Sequence, residues 1–361
     1  MRFACFGSSL VSAYWNGAAT YYRGLLKALA DRGHTIFFAE PDAFERQAHR
    51  DMPDPPWAEV LVYAPDPAGM NAALARAADA DVIVKFSGVG VLDQELERAV
   101  LSSRRPGQLA IFWDVDAPAT LDRMQTTPDD PLRTLIPRFD AVFTYGGGDA
   151  VVRAYRRFGA TLCVPIYNAL DPATHHPVEP DPRFAADLAF LGNRLPDREA
   201  RVEEFFLKPS ASLPQRRFLL GGNGWGDKPM PANVAYVGHV YTSDHNAFNA
   251  TPTVVLNINR ESMARYGASP PTRIFEAAGA GACIITDAWD GIEKFLEPGK
   301  EILLAENGDA VARHLEMLEP HTARLIGEAA RRRVLFEHTY ALRASEVETV
   351  LENRLRLREA G

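Results

Sequence analysis

Cysteine is scarce: the 361 residues hold three, Cys5, Cys163 and Cys283, an odd number with no C-x-x-C spacing. All three sit inside apolar, strand-like runs. That pattern excludes a disulfide framework or a cysteine metal knuckle and predicts buried, reduced thiols. Long apolar runs are missing as well. The start, MRFACFGSSLVSAYW, has one basic residue and an apolar run of only about five before Gly7, too short for a signal core. No later stretch reaches the ~18 unbroken apolar residues of a membrane span. A cytoplasmic protein is expected. Positive charge is in deficit, with 39 Lys and Arg against 47 Asp and Glu for a net of -8. No basic field is available to hold a nucleic-acid backbone or an anionic bilayer.

What is present is an ordinary globular composition, 47% hydrophobic and 24% charged, on a chain long enough for two cores. Short runs rich in Val, Ile and Phe recur at 3–6, 35–39, 60–63, 82–86, 109–113, 141–145 and 162–166, with helical patterns between them. Residues 19–31, ATYYRGLLKALAD, place Tyr22, Leu25, Leu26 and Leu29 on one helical face and stop before Gly33. Strand alternating with helix predicts a parallel sheet covered on both faces. The scheme repeats at 188–191, 218–220, 234–237, 254–258, 283–286 and 302–304. Between the two sets lies DPATHHPVEPDP, Asp171 to Pro182, whose prolines continue neither ladder nor helix. The reading is therefore α/β, two tandem Rossmann-like doubly wound domains facing a cleft. The boundaries expected are 1–170, a Pro-rich linker 171–186, a second domain 187–335, and a terminal helix 336–361 returning toward the first.

The stretch VVLNINRESMARYGASPPTRIFEAAGAGACIITD, 254–287, is the most informative. Its helix starts after Ser269, Pro270, Pro271 and Thr272; proline suits a first helical turn, and Ser269 or Thr272 is a candidate cap. Open N–H groups at such an end, with the helix dipole behind them, suit a diphosphate. Arg273 in the first turn and Arg260 in the preceding loop are candidate forked phosphate ligands. Glu276, an acceptor-only group one turn on, matches the two donors of a ribose diol. The plainer alternative is that Glu276 complements the helix dipole and Arg273 lies on the surface.

The segment TRIFEAAGAGACIITDAWDGIEKFLEPGKEILL resembles the C-terminal signature of spore-maturation CgeB-like proteins and of GT-B glycosyltransferases more widely. The resemblance implies a nucleotide-sugar donor held by the second half, with Glu276 on the ribose. FLGNR (Gly192, Asn193 and Arg194 at its end) is similar to the first donor-domain strand and its phosphate-side loop, and GHV, with His239, to the base-contacting edge. EHTYALRASEVETVL resembles the returning helix; IFWDVDAPATL and TYGGGDAVV extend the likeness into the first half. Many retaining relatives carry a second glutamate eight positions before the ribose one, where this chain has Ala268, so the stereochemical outcome stays open.

In the first half, the run 109–113 ends in Asp114-Val115-Asp116 at the ligand end of a parallel strand. If the strand stays extended, both carboxylates point one way. Either is a candidate base for an acceptor hydroxyl; the competing readings are a D-x-D cation site and a cap beside Pro118. Asn16 and Gly17, Lys85 and Ser87, and Gly147 end or follow strands and are acceptor-side candidates. His175 and His176 sit in the expected linker without metal-ligand spacing. The leading expectation is sugar transfer from a nucleoside diphosphate sugar, a co-substrate, to an acceptor hydroxyl, with neither cofactor nor metal. A nucleotide-sugar 2-epimerase differs by needing no acceptor, and a non-catalytic nucleotide or glycan binder by not consuming donor.

Overall fold

The computed structural model describes residues 1–359 and falls into two compact units, Met1–Asn168 with the chain from Tyr340 onward, and Ala169–Thr339. The first unit is built on β1 (Arg2–Phe6), β2 (Thr35–Pro41), β3 (Ala58–Tyr63), β4 (Val82–Phe86), β5 (Leu109–Asp114), β6 (Ala141–Thr144) and β7 (Cys163–Pro165). They form one sheet in the order β3-β2-β1-β4-β5-β6-β7, and every pairing is parallel. The second unit holds β8 (Leu188–Leu191), β9 (Phe218–Gly221), β10 (Val234–Gly238), β11 (Val254–Asn257), β12 (Ile284–Asp287) and β13 (Leu303–Ala305). Their order is β10-β9-β8-β11-β12-β13, again all parallel. The strand runs read from sequence all appear, with ends moved by a residue or two.

Central strands such as VIVKF and LAIFWD are buried along their whole length because helices cover both faces. In the first unit Tyr22, Phe86, Trp113 and Phe143 form a chain of ring contacts with centroids 4.5–5.4 Å apart. The second unit gathers Leu188, Phe190, Phe206, Trp225, Leu256 and Ile285. Burying each such side chain stabilises by about 1.5–3 kcal/mol. The three cysteines are buried free thiols, and burial pushes Cys163 and Cys283 up to about 12, which keeps them unreactive. No described helix is long and apolar enough to cross a membrane.

One expectation changes, that of a separate linker. The Pro-rich stretch is packed into the second unit: Leu170 bridges to Thr339, His175 is buried, and the carbonyl of His175 lies where a side chain on Gly279 would collide with it. Its prolines keep most of it out of helix and strand, and it is held to the unit mainly through His175 and Leu170, most of its other residues being exposed. The helix Tyr340–Glu359 belongs to the first unit and packs on the helix Ala19–Asp31, where Gly24 makes room for the Tyr340 ring. Glu348 is ion-paired there to Arg32 and lies 3.2 Å from Nε2 of His34, and Arg358 is ion-paired to Asp140.

Candidate functional site

In each sheet the strand order reverses once, between β1 and β4 and between β8 and β11. Parallel sheets bind ligands outside the carboxyl ends of strands at such a reversal. In the second unit that places the loop after β8, the loop after β11 and the helix Thr272–Gly279 around one position.

The loop after β8 is tied to the loop after β9. Asn223 N–H donates to Asn193 Oδ1 at 2.9 Å, Arg194 N–H to Asn223 O at 2.9 Å, and Trp225 Nε1 to Gly192 O at 2.7 Å. A side chain at Gly222, φ +115°, would strike Gly192 O, so glycine is required for the two loops to meet. Gly192 is buried; a Cβ there would lie 2.8 Å from the Phe190 ring and 3.1 Å from Arg198 Nη1. Arg194 is committed elsewhere: it is bidentate to Glu199 at 2.7 and 2.9 Å and bonded to Asp227 at 2.9 Å. Hydrogen bonds from Arg194 and Lys228 hold Glu199 down at about 2. Arg194 is thus a brace for the loop rather than an open phosphate ligand.

Two further guanidinium groups, those of Arg273 and Arg198, lie near this loop, and Arg198 Nη1 donates to Asn193 O at 3.3 Å. Arg273 is the second residue of its eight-residue helix; its guanidinium stands 5.9 Å from the Phe190 ring, and Nη1 is out of water with no hydrogen-bond partner. Burial, and then the field of Arg198, lower its pKa to about 10, with Glu276 opposing. The two guanidinium groups repel each other there. The helix is capped by no side chain: Pro271 is its N-cap, Thr272 its first residue, and Ser269 is buried, donating to Gly267 O at 3.0 Å. Ser269 is therefore corrected from cap to turn brace, because the chain around Gly267 and Ala268, both at positive φ, turns it away. Arg260 is half-buried at the N-cap of the short helix Glu261–Tyr266. His239 is exposed after β10, edge-on to Tyr241 at 4.7 Å.

Glu276 is mostly buried, with Oε1 3.9 Å from Nε2 of His175. His245 feels the same carboxylate, yet burial holds its imidazole below the usual value. Beside them a polar knot closes the ends of β11 and β12. Asp287 accepts from the Asn259 N–H at 3.0 Å and from Arg201 at 2.5 Å, and Asn257 donates to Thr286 at 2.9 Å. Burial raises Asp287 against these partners, and the amide nitrogen of Asn259, 1% exposed, has no partner.

The first unit corrects several candidates. Asp114 is fully buried and its carboxylate accepts from Ser87 at 2.7 Å, Thr120 at 3.0 Å, the Asp116 N–H at 3.0 Å and the Tyr155 hydroxyl. A carboxylate so engaged anchors the strand end and is not open to abstract a proton. The chain does not stay extended after Asp114: it turns, and Asp116 becomes the half-buried N-cap position of the helix Ala117–Thr126, so the two carboxylates part. Ser87 serves that anchor, also accepting from Val115 N–H at 2.9 Å. Lys85 is fully buried in an ion pair with Asp93. Asn16 staples the loop after β1, accepting from Ser8 at 2.9 Å and donating to the carbonyls of Ser9 and Ser12 at 2.8 and 3.0 Å. Gly147, φ +90°, is the N-cap of the helix Gly148–Arg157, where a Cβ would overlap Val151; Gly17 is exposed with open space around it.

With that geometry in hand, residues 198–349 match a family model described as glycosyl transferase-like. Three solved structures align over nearly the whole chain. Sucrose-phosphate synthase from Thermosynechococcus elongatus has 14% identity, TM-score 0.72, and 100% of both chains covered. Anabaena Alr3699/HepE, in complex with UDP and glucose, has 12% identity, TM-score 0.68, and 98% and 100% covered. An alpha-glucosyltransferase in complex with UDP and a DNA 13-mer has 11% identity, TM-score 0.68, and 98% and 99% covered. The chain has the fold of the GT-B glycosyltransferases, and its second half carries the glycosyl transferase-like match. No curated protein matches it by sequence.

Two residues near these groups carry no motif in the sequence. Arg198 was hidden in PDREARV, which reads as a solvated helix start; its place directly after the first strand of a nucleotide-binding half was the available signal. His175 was set aside with the linker, since only the folded chain brings it to Glu276, 101 positions on by the numbering of the pair.

Proposed function

We propose that this chain is a glycosyltransferase that moves a sugar from a nucleoside diphosphate donor to an acceptor hydroxyl without a bound metal. The observation that carries the reading is the pair Arg198 and Arg273 at the carboxyl end of β8, with the buried Nη1 of Arg273 unpartnered. A diphosphate fits that site: it relieves the repulsion, satisfies the open nitrogen and faces an uncapped helix start. Glu276, one turn further, accepts from the ribose diol, and His239 with Tyr241 borders the base. As the bond from the sugar's anomeric carbon to the diphosphate oxygen breaks, negative charge grows on the leaving group, and the two guanidinium groups neutralise it where other transferases use a cation. The acceptor oxygen attacks that carbon and gives up its proton. We assign that proton to Asp116, at the N-cap position of the helix Ala117–Thr126, since the Asp114 carboxylate is engaged by four donors. A cytoplasmic location and membership of the spore-maturation CgeB-like subfamily are parts of the same proposal.

Because two of the compared structures hold UDP, uridine donors come first in the test. UDP release from UDP-glucose and related UDP-sugars is followed in EDTA for wild type and Arg273→Met. The expected result is metal-free release that falls about 10²-fold in the variant. Release that appears only with a divalent cation, or that survives the substitution, contradicts the reading.

A further inference from the structure

The first unit carries an aromatic surface that the donor site leaves unexplained. A concavity of about 440 Å³ is lined by Tyr14, Trp15, Phe44, Glu45 and Arg46, on the loops that follow β1 and β2. Trp15 is 69% exposed and Phe44 53%, among the largest exposures of any aromatic side chain described. Water is a poor solvent for such faces, so their display needs a reason.

The backbone is strained to make that display. Five described non-glycine residues have positive φ, and three of them, Trp15 (+46°), Phe44 (+58°) and Glu45 (+56°), line this one concavity. Strain of this kind persists only where the surroundings enforce it, and it gathers at ligand sites. The surroundings here are stiff. Ser12 Oγ donates to His49 O at 2.8 Å, Ala13 N–H to Asp51 at 3.1 Å, and Asp51 N–H to Val11 O at 3.2 Å. Tyr14 stacks on His49 at 4.0 Å and 10°, and Arg23 clamps Asp51 at 2.7 and 2.9 Å. Arg46, 6% exposed, reaches the carbonyls of Ser8 and Val89 at 3.2 Å and backs the Phe44 ring at 4.9 Å. The two loops are cross-braced with the aromatic faces already presented, so binding there costs little ordering entropy.

We propose that this concavity is a saccharide subsite, in which a sugar ring of the acceptor stacks on Trp15 and Phe44 and its hydroxyls bond to Glu45 and the tyrosine edge; it rests on the glycosyltransferase reading. A sugar ring offers apolar C–H faces and hydroxyl edges, and aromatic planes beside an exposed carboxylate match both. The charge nearby disfavours the other class of aromatic-seeking partner. Asp42, Glu45, Asp51 and Asp54 stand there against Arg23, Arg46 and Arg50, with Asp51 and Asp54 paired to Arg23 and Arg50, so no basic cluster is present to attract an anionic bilayer.

The test uses the full chain. Maltose, cellobiose, lactose and methyl hexosides are titrated by saturation-transfer NMR against wild type, Trp15→Ala, Phe44→Ala and Trp15→Phe, with co-sedimentation on phosphatidylglycerol vesicles in parallel. Circular dichroism reports folding, and a UDP-induced thermal shift reports the donor site separately. The expected result is binding of at least one saccharide, weakened about tenfold by either alanine variant and largely kept by Trp15→Phe. The proposal is overturned if no saccharide of the set binds, if both alanine variants bind as wild type does, or if Trp15 instead governs vesicle binding. Loss of the UDP shift alone, with saccharide binding intact, counts against the donor reading and leaves the subsite standing.

Discussion

Replacing Arg273 by methionine is expected to stabilise the unliganded protein while abolishing its response to nucleotide. The guanidinium is held down at about 10, well below the value of a free one, chiefly by burial and next by Arg198. The sign follows from the protonated form being disfavoured in the folded state. Below a pH of about 10 the folded chain carries the penalty in full, and it fades as pH climbs toward the unfolded value. At about 1.4 kcal/mol for each unit the ceiling is about 3 kcal/mol. Arg273 is only part-buried, so solvent relaxation leaves about 1–2 kcal/mol. Methionine replaces the guanidinium near the Phe190 ring by an uncharged, apolar side chain. For a unit the size of Ala169–Thr339, each kcal/mol moves the melting point by about 2–4 °C, so a rise of about 2–8 °C is expected at pH 7. Differential scanning fluorimetry with and without UDP in EDTA reads both effects. A melting point that falls in Arg273→Met, or an undiminished UDP shift, refutes the argument that the charge is held for an anion.

Other consequences follow from the same geometry. Asp114→Ala strips four hydrogen-bond donors of their acceptor and is expected to cost about 3–5 kcal/mol in chemical denaturation, whereas Asp116→Ala keeps near-wild-type stability and loses transfer rate. Glu276→Ala is expected to raise KM for the donor more than it lowers kcat, in steady-state kinetics with varied nucleotide sugar. His245 is held neutral by burial, so stability is expected to fall as pH drops from 7 through the ordinary histidine range, and His245→Asn to flatten that fall in pH-dependent melts. A side chain at Gly24 would sit 2.2 Å from the Tyr340 ring, so Gly24→Val is expected to cost about 1–3 kcal/mol and to loosen the helix Tyr340–Glu359, seen as faster amide exchange there.

The sheets were legible because parallel strands covered on both faces read as short unbroken apolar runs, as VIVKF and LAFL do. The ligand helix was legible too, since two prolines before a helical pattern fix where it starts. Side-chain roles were less legible where long-range partners decide them. Asp114 looks like a base at a strand end, but the groups that consume it, Ser87 and Tyr155, lie 27 and 41 positions away. Arg194 matches the phosphate-side motif, yet Glu199 and Asp227 neutralise it, while Arg198 in the same loop keeps the field that Arg273 feels. Trp15 and Phe44 carried no motif. Their exposure and positive φ exist only in the folded loops.

A crystal structure of the chain soaked with UDP in EDTA tests the central claim most directly. The account predicts phosphate oxygens about 3 Å from Arg198 and Arg273 at the start of the helix Thr272–Gly279, and ribose hydroxyls on Glu276. UDP bound away from these residues, or no UDP at all until a divalent cation is added, would contradict it.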